Sequence, residues 1–159
     1  MKELVEIEVW NRISSYCSIA EHCRLDVSEK MRKWGTSEEI ILRILDKLET
    51  ENYINEERYS CAFVKDKYRF SKWGKVKISQ ALQQKKISPD LRSSALETID
   101  QNEYIEILRN LLNAKRKSIS AQNEYEKNGK LIRFALGRGF EMKDIRLCLQ
   151  LFDDIDTFL

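Results

Sequence analysis

The sequence predicts an all-α fold of tandem helical repeats, each of two or three helices, stacked into an elongated, curved rod. First, the 159 residues include only five glycines and one proline, too few for the many tight turns of a strand-rich fold. Second, apolar residues recur at three- or four-residue spacing along most of the chain. Third, three helix ends share one plan, described below. We predict repeats at residues 1–54, 55–100 and 101–159.

The first repeat begins with an ambiguous pattern at residues 4–16. Alternating Val5, Ile7 and Val9 suit a strand, whereas Val5, Val9 and Ile13 lie four residues apart and suit a helix. Helix is favoured because no partner strand follows. The motifs at 18–21 and 36–39 match capping boxes and predict two further helix starts. We expect those helices to end near Trp34-Gly35 and at Asn52.

The second repeat starts at Asn55, which can cap a helix whose first turn holds two glutamates. This helix should end near Trp73-Gly74, and a second helix follows from Val76 to Leu82. Ser88-Pro89 predicts a third helix start, with serine as cap and proline in the first turn. The helical spacing of four apolar residues predicts the stripe of the first helix that faces the core: Tyr59, Ala62, Phe63 and Phe70.

The third repeat contains a long amphipathic helix from about Asn102 to Lys117. A loop is predicted at 118–123. A further helix breaks at Gly137-Arg138-Gly139, and a last helix carries Met142 and Ile145 on its apolar side.

The shared plan of the three helix ends indicates an internal repeat. In each, a helix ends, a turn follows, and one large apolar residue closes the junction before a new helix begins. Those residues are Tyr53, Ile87 and Phe140, separated by 34 and 53 residues, which fits divergent helical repeats. Unrelated amphipathic helices that end in a Schellman motif would give the same pattern, so this alternative stays open.

Charge is sorted along the chain although the net charge is only +2. Residues 36–57 hold seven acids and two bases, whereas residues 58–86 hold nine bases and one acid, Asp66. Five aromatic residues lie among those bases: Tyr59, Phe63, Tyr68, Phe70 and Trp73. Trp73 suits either a plug at a repeat junction or an exposed anchor. So lopsided a segment favours contact with an elongated, acidic partner. The expected contact residues are Arg58, Lys65, Lys67, Arg69, Lys72, Lys75 and Lys77.

Catalytic and metal-binding chemistry is not supported by the sequence. Only one histidine, His22, is present, while a metal site needs about four converging ligands. No Gly-rich phosphate loop or Ser-His-Asp set is evident, and Gly137-Arg138-Gly139 is too short for a nucleotide fingerprint. We therefore expect no enzyme activity and no cofactor. The four scattered cysteines and the absence of a long aliphatic run predict a cytoplasmic protein without a membrane span.

The central segment resembles the RecX family, regulators of the RecA recombinase. The matching motifs are Asn55-Glu-Glu-Arg-Tyr59, Ala62-Phe63-Val64, Gly74-Lys75-Val-Lys-Ile78 and Lys85-Lys86-Ile87-Ser88. Looser similarity extends over residues 10–152. The family's turns usually hold glycine where this chain has Asn52 and Lys86.

The resemblance implies three tandem three-helix units that bind in the groove of a RecA–DNA filament. It implies that filament growth is blocked or disassembly promoted, which would regulate homologous recombination, DNA repair and the SOS response. Weak, sequence-independent contact with single- or double-stranded DNA and a monomeric state are expected with it. Two alternatives remain open: a general nucleic-acid-binding helical module and a protein-only helical-repeat scaffold.

Overall fold

The computed structural model describes residues 5–149, and every regular element in that range is an α-helix. The all-α fold class is confirmed. The helices are α1 (Glu6–Ile19), α2 (Arg24–Lys33), α3 (Glu38–Thr50), α4 (Glu56–Arg69), α5 (Lys75–Gln84), α6 (Pro89–Glu97), α7 (Gln101–Ser118), α8 (Glu124–Gly137) and α9 (Met142–Leu149). None of the helices in this range is long and apolar enough to cross a membrane.

The chain forms two compact units, and both draw on α4 and α5. Of the described residues, the first unit comprises 5–62 together with Leu82–Ala95, and the second comprises Phe63–Ala81 together with 96–149. The predicted boundaries at residues 54 and 100 concern sequence repeats, and they stay a prediction.

The core of the first compact unit lies where α1, α2 and α3 pack on one another. The ambiguous N-terminal pattern is helical, and its positions four residues apart, Val9, Ile13 and Cys17, are buried. They pack with apolar residues of the two following helices, among them Met31 and Leu48. The preference for a helix at residues 4–16 is therefore confirmed for the residues described.

The core of the second compact unit is built on Tyr104 of α7, which is 1% exposed. Its ring lies 6.4 Å from the Tyr68 ring in a stacked arrangement and 5.3 Å from the Phe140 ring in an edge-on one. Helices α7, α8 and α9 pack on one another around buried Leu108, Leu131 and other apolar residues.

All three junction residues follow the same backbone turn. Tyr53, Ile87 and Phe140 each donate their backbone N–H to the carbonyl five residues earlier, at 2.8, 3.1 and 3.1 Å. The residue before each has positive φ, which is 64° at Asn52, 61° at Lys86 and 95° at Gly139. This is the Schellman motif, and it confirms the predicted turn at all three places.

The helix start predicted at 18–21 is wrong, and the one predicted at 36–39 is confirmed with a different capping residue. Ser18 lies inside α1, where its hydroxyl donates to the Ser15 carbonyl at 2.7 Å, because the stripe of buried residues continues that helix to Ile19. Thr36 does not cap α3, since its buried hydroxyl oxygen has no hydrogen-bond partner among the described residues. Ser37 caps instead, accepting a hydrogen bond from the Ile40 N–H.

The predicted apolar stripe of α4 is also wrong beyond Tyr59. The buried positions of this helix are Tyr59, Ser60, Val64 and Tyr68, whereas Phe63 is half-buried and Ala62 is exposed. Phe70 follows the end of the helix and is 79% exposed. Because Tyr68 packs against Tyr104, the side of α4 that faces the core is the side that carries Tyr68. Phe63 and Phe70 do not lie on that side.

Candidate nucleic-acid interface

The turn between α4 and α5 is held by bonds on both sides within the second compact unit. The Trp73 N–H donates to the Lys67 carbonyl at 3.0 Å, and the Ser71 carbonyl accepts from Nη1 of Arg138 at 3.1 Å. Lys72, at the tip, has φ of 57°, a conformation that costs a residue with a Cβ about 1–2 kcal/mol. The turn is therefore a defined structure that its surroundings impose.

A backbone joint ties the start of α5 to the end of α8. The Gly74 N–H donates to the Arg138 carbonyl at 2.7 Å, and the Val76 N–H donates to the Gly139 carbonyl at 3.0 Å. A Cβ at Gly74 would overlap the backbone of Gly139 and Phe140. Glycine is thus required at position 74 by a close approach of two chain segments.

Two lysines and two aromatic rings form what we call the Trp73 cluster: Phe63, Lys67, Trp73 and Lys77. Nζ of Lys67 lies 4.7 Å from the Trp73 ring centre and 5.3 Å from the Phe63 ring centre. Nζ of Lys77 lies 4.5 Å from the Trp73 ring centre. Trp73 is half-buried, and these cation–π contacts hold two ammonium groups at the surface beside it.

Three of the seven expected contact residues are engaged inside the protein. Arg58 binds the Glu21 carboxylate at 2.7 Å and also donates to both the side chain and the carbonyl of Asn52. Arg69 donates twice to the Glu103 carboxylate, at 2.7 and 3.4 Å, which lowers the pKa of that carboxyl below its ordinary value. Lys75 donates to the Gln101 side chain at 3.0 Å. Their charges are therefore partly committed to holding elements together.

The other four expected residues are the lysines 65, 67, 72 and 77. None of them forms an ion pair with an acid in residues 5–149, and Lys65 and Lys72 are exposed. The structure brings Lys67 and Lys77 together on Trp73. The cations left available for a partner are thus lysines, concentrated from the second half of α4 to the start of α5.

Residues of the third repeat that the sequence did not single out lie beside this turn. The Phe134 ring centre lies 4.9 Å from Nζ of Lys115 and 5.4 Å from the Arg138 guanidinium carbon. The sequence analysis assigns no contact role to Lys115 or Arg138. The alternation of cation and aromatic seen in α4 also occurs here, but Lys115 lies 19 residues before Phe134 in sequence, so only the fold brings the two together.

The side chains that could bind a metal ion lie apart from one another in the part of the chain that the structure describes. No group of three or more His, Cys, Asp or Glu side chains converges there to hold a metal ion. His22 stacks on the Tyr16 ring at 3.9 Å, and burial lowers its pKa. What the arrangement provides is fixed positive charge beside aromatic rings, which suits phosphate binding.

Comparison with known proteins places the chain in a family. A family model described as RecX, second three-helix domain, matches residues 55–96, and one described as RecX, third three-helix domain, matches residues 102–149. A relative called regulatory protein RecX in Prosthecochloris aestuarii is 28% identical over 141 residues, covering 87% of this chain and 89% of the relative. One of the same name in Clostridium botulinum is 31% identical, covering 72% of this chain but only 54% of the relative.

Solved structures agree with these sequence matches. The crystal structure of RecX from Lactobacillus salivarius matches with a TM-score of 0.80 and 25% identity, covering 93% of this chain and 96% of that one. Another crystal structure of regulatory protein RecX matches the fold with a TM-score of 0.84 at 21% identity, covering 91% of this chain and 71% of that one. The chain therefore belongs to the RecX family of regulatory proteins.

Proposed function

We propose that this protein modulates a RecA recombinase by binding the RecA–DNA filament, and that it blocks filament extension or promotes filament disassembly. Recombination and DNA repair would be regulated in consequence. Family membership supports a regulatory role. The single observation that supports the contact surface is a set of lysines around the α4–α5 turn that have no acidic partner within residues 5–149, namely Lys65, Lys67, Lys72 and Lys77.

The chemistry of these lysines fits a filament that displays phosphates. An ammonium is a compact point charge that binds phosphate without demanding a fixed planar geometry. Contacts of this kind give affinity without sequence preference and weaken as salt rises. The alternative of a general nucleic-acid-binding module rests on the same lysines. It differs by predicting that naked DNA alone accounts for all binding.

The test is an assay of RecA ATP hydrolysis on single-stranded DNA with increasing amounts of this protein. We expect hydrolysis to change at sub-stoichiometric amounts. The charge-reversed double variant Lys65→Glu with Lys72→Glu should lose most of that effect. The matched control is Arg12→Glu with Lys33→Glu, which changes the net charge equally at exposed cations without an ion-pair partner in the described chain.

Three outcomes separate the hypotheses. A folded wild-type protein that leaves hydrolysis unchanged at equimolar amounts contradicts RecA modulation. An equal loss in both double variants shows that total charge matters and not this surface. An effect on RecA that simply tracks affinity for naked DNA, measured at several salt concentrations, favours the general nucleic-acid-binding module.

A further inference from the structure

Phe70 is the most exposed aromatic side chain of the basic segment, residues 58–86. It is 79% exposed, although burying a phenylalanine contributes about 1.5–3 kcal/mol. Phe63 and Trp73 each have a lysine ammonium within 5.3 Å of the ring centre. Within residues 5–149, no ring or cation contact of this kind is made by Phe70. Its faces are therefore open to a flat partner.

The backbone around Phe70 is fixed before any partner binds. Its N–H donates to the Asp66 carbonyl at 2.9 Å, which continues the helical geometry of α4 by one residue. The preceding residue, Arg69, is tied to Glu103, and the carbonyl of the following residue, Ser71, accepts from Arg138. An exposed ring on so constrained a turn loses little conformational entropy on binding.

The charges beside Phe70 indicate which flat partner it suits. Lys67 lies three residues earlier on the same side of the helix, and Lys72 follows two residues later at the exposed tip of the turn. Neither has an acidic partner among the residues described. Among residues 5–149, a second strongly exposed aromatic side chain is Tyr125 on α8, which is 90% exposed. It lies between Glu124 and Glu126, which pair with Arg116 and Lys130, so positive charge beside this ring is offset by acids.

We infer that Phe70 is a stacking platform for one unpaired base of single-stranded nucleic acid, with Lys67 and Lys72 contacting the flanking phosphates. This inference deepens the proposed function and rests on it, because it assigns the nucleic-acid contact of the same surface. A duplex keeps its base faces stacked inside, so it cannot offer them to the ring. Stacking on an aromatic ring tolerates any base sequence.

The experiment measures fluorescence anisotropy of the full chain with three labelled probes at one salt concentration. The probes are an oligothymidine strand, an abasic strand of equal length, and a duplex. Phe70→Ala should weaken binding to oligothymidine about 5- to 100-fold, in line with the stacking contribution of one base. It should leave the abasic strand and the duplex within about twofold, because their contacts are with phosphate. Phe70→Trp should restore the affinity, and Tyr125→Ala is the matched control.

Each contrary result has a distinct meaning. Equal losses on all three probes, or no loss on oligothymidine, overturn the stacking inference. No binding of the wild type to any probe at low salt overturns it as well.

ATP hydrolysis by RecA is measured with the same variants. If Phe70→Ala abolishes the effect on RecA but leaves oligothymidine binding intact, the ring docks on protein, and the stacking inference fails while RecA modulation stands. If the wild-type protein leaves RecA hydrolysis unaffected, the proposed function fails. The effect of Phe70→Ala on oligothymidine, compared with the abasic strand, then still tests whether the ring stacks on a base.

Discussion

Substitution of Gly74 by alanine tests the backbone joint that supports the candidate interface. A methyl group at this position would overlap main-chain atoms of Gly139 and Phe140. Backbone atoms cannot turn aside as a flexible side chain does, so the joint must open. Opening it removes the hydrogen bonds from Gly74 to the Arg138 carbonyl and from Val76 to the Gly139 carbonyl, of 2.7 and 3.0 Å.

The expected loss of stability follows from those contacts. Overpacking a closed contact costs about 1–3 kcal/mol, and each backbone hydrogen bond contributes about 1 kcal/mol net. We therefore expect Gly74→Ala to lower the free energy of unfolding by about 3–5 kcal/mol. For a chain of this length, that lowers the midpoint of thermal unfolding by at least about 6 °C.

Urea unfolding followed by circular dichroism at the helix band measures this change. The control is Gly129→Ala in the middle of α8, where the nearest atom to the new Cβ is Arg133 Nη1 at an ordinary 3.6 Å. Replacing a mid-helix glycine by alanine should stabilise by about 0.5–1 kcal/mol. If Gly74→Ala changes stability by less than about 1 kcal/mol while Gly129→Ala behaves as expected, the joint does not hold this unit together.

Three further predictions concern single side chains. Lys86→Gly should stabilise by about 1 kcal/mol in urea unfolding, because φ at this position is 61° and glycine avoids the strain of a Cβ; an unchanged midpoint would contradict the turn geometry. Arg58→Ala should cost about 1–2 kcal/mol through its lost bonds to Glu21 and Asn52, whereas Lys65→Ala should leave stability unchanged and lower DNA affinity in an anisotropy titration. Burial raises the pKa of Asp144, so the folded state holds that proton more tightly and stability falls as pH rises through the raised pKa. Asp144→Asn removes this loss, and its unfolding free energy should decline less than that of wild type as pH rises above the ordinary aspartate pKa of about 4.

Local backbone chemistry was the part of the fold that sequence reasoning could predict. A helix end followed by a large apolar residue predicts a Schellman turn, because the apolar residue packs back on the helix just ended. Tyr53, Ile87 and Phe140 all obey this rule. Asn52 and Lys86 both adopt the positive φ that glycine favours, although each carries a side chain. The turn thus imposes its backbone geometry on residues other than glycine.

The side of α4 that faces the core could not be predicted from spacing alone. Helical spacing predicts that Phe63 and Phe70 extend a stripe from Tyr59, yet the residues buried along with Tyr59 are Ser60, Val64 and Tyr68. Tyr68 is buried because its ring stacks on Tyr104, which lies 36 residues away in sequence. The orientation of a helix follows from its long-range partners, and a periodicity within one helix does not contain them.

Counting charges within residues 58–86 likewise omits the acidic partners that other parts of the chain supply. The acids that neutralise Arg58 and Arg69 are Glu21 and Glu103, which come from outside the basic segment. Each arginine has a planar guanidinium with several N–H donors, and it uses them to bond to groups in other parts of the chain. A lysine ammonium, which is a compact point charge, is poorly shaped for this role. Lysines of this segment also bond internally, as Lys75 does to Gln101 and Lys85 to Asp26. Lys65 and Lys72, in contrast, are exposed and have no acidic partner among residues 5–149. There a point charge on a flexible chain can follow a phosphate backbone of any sequence. If this division of roles holds, Arg69→Lys should reduce stability while DNA affinity changes little, because the exchange keeps the charge and loses the cross-link.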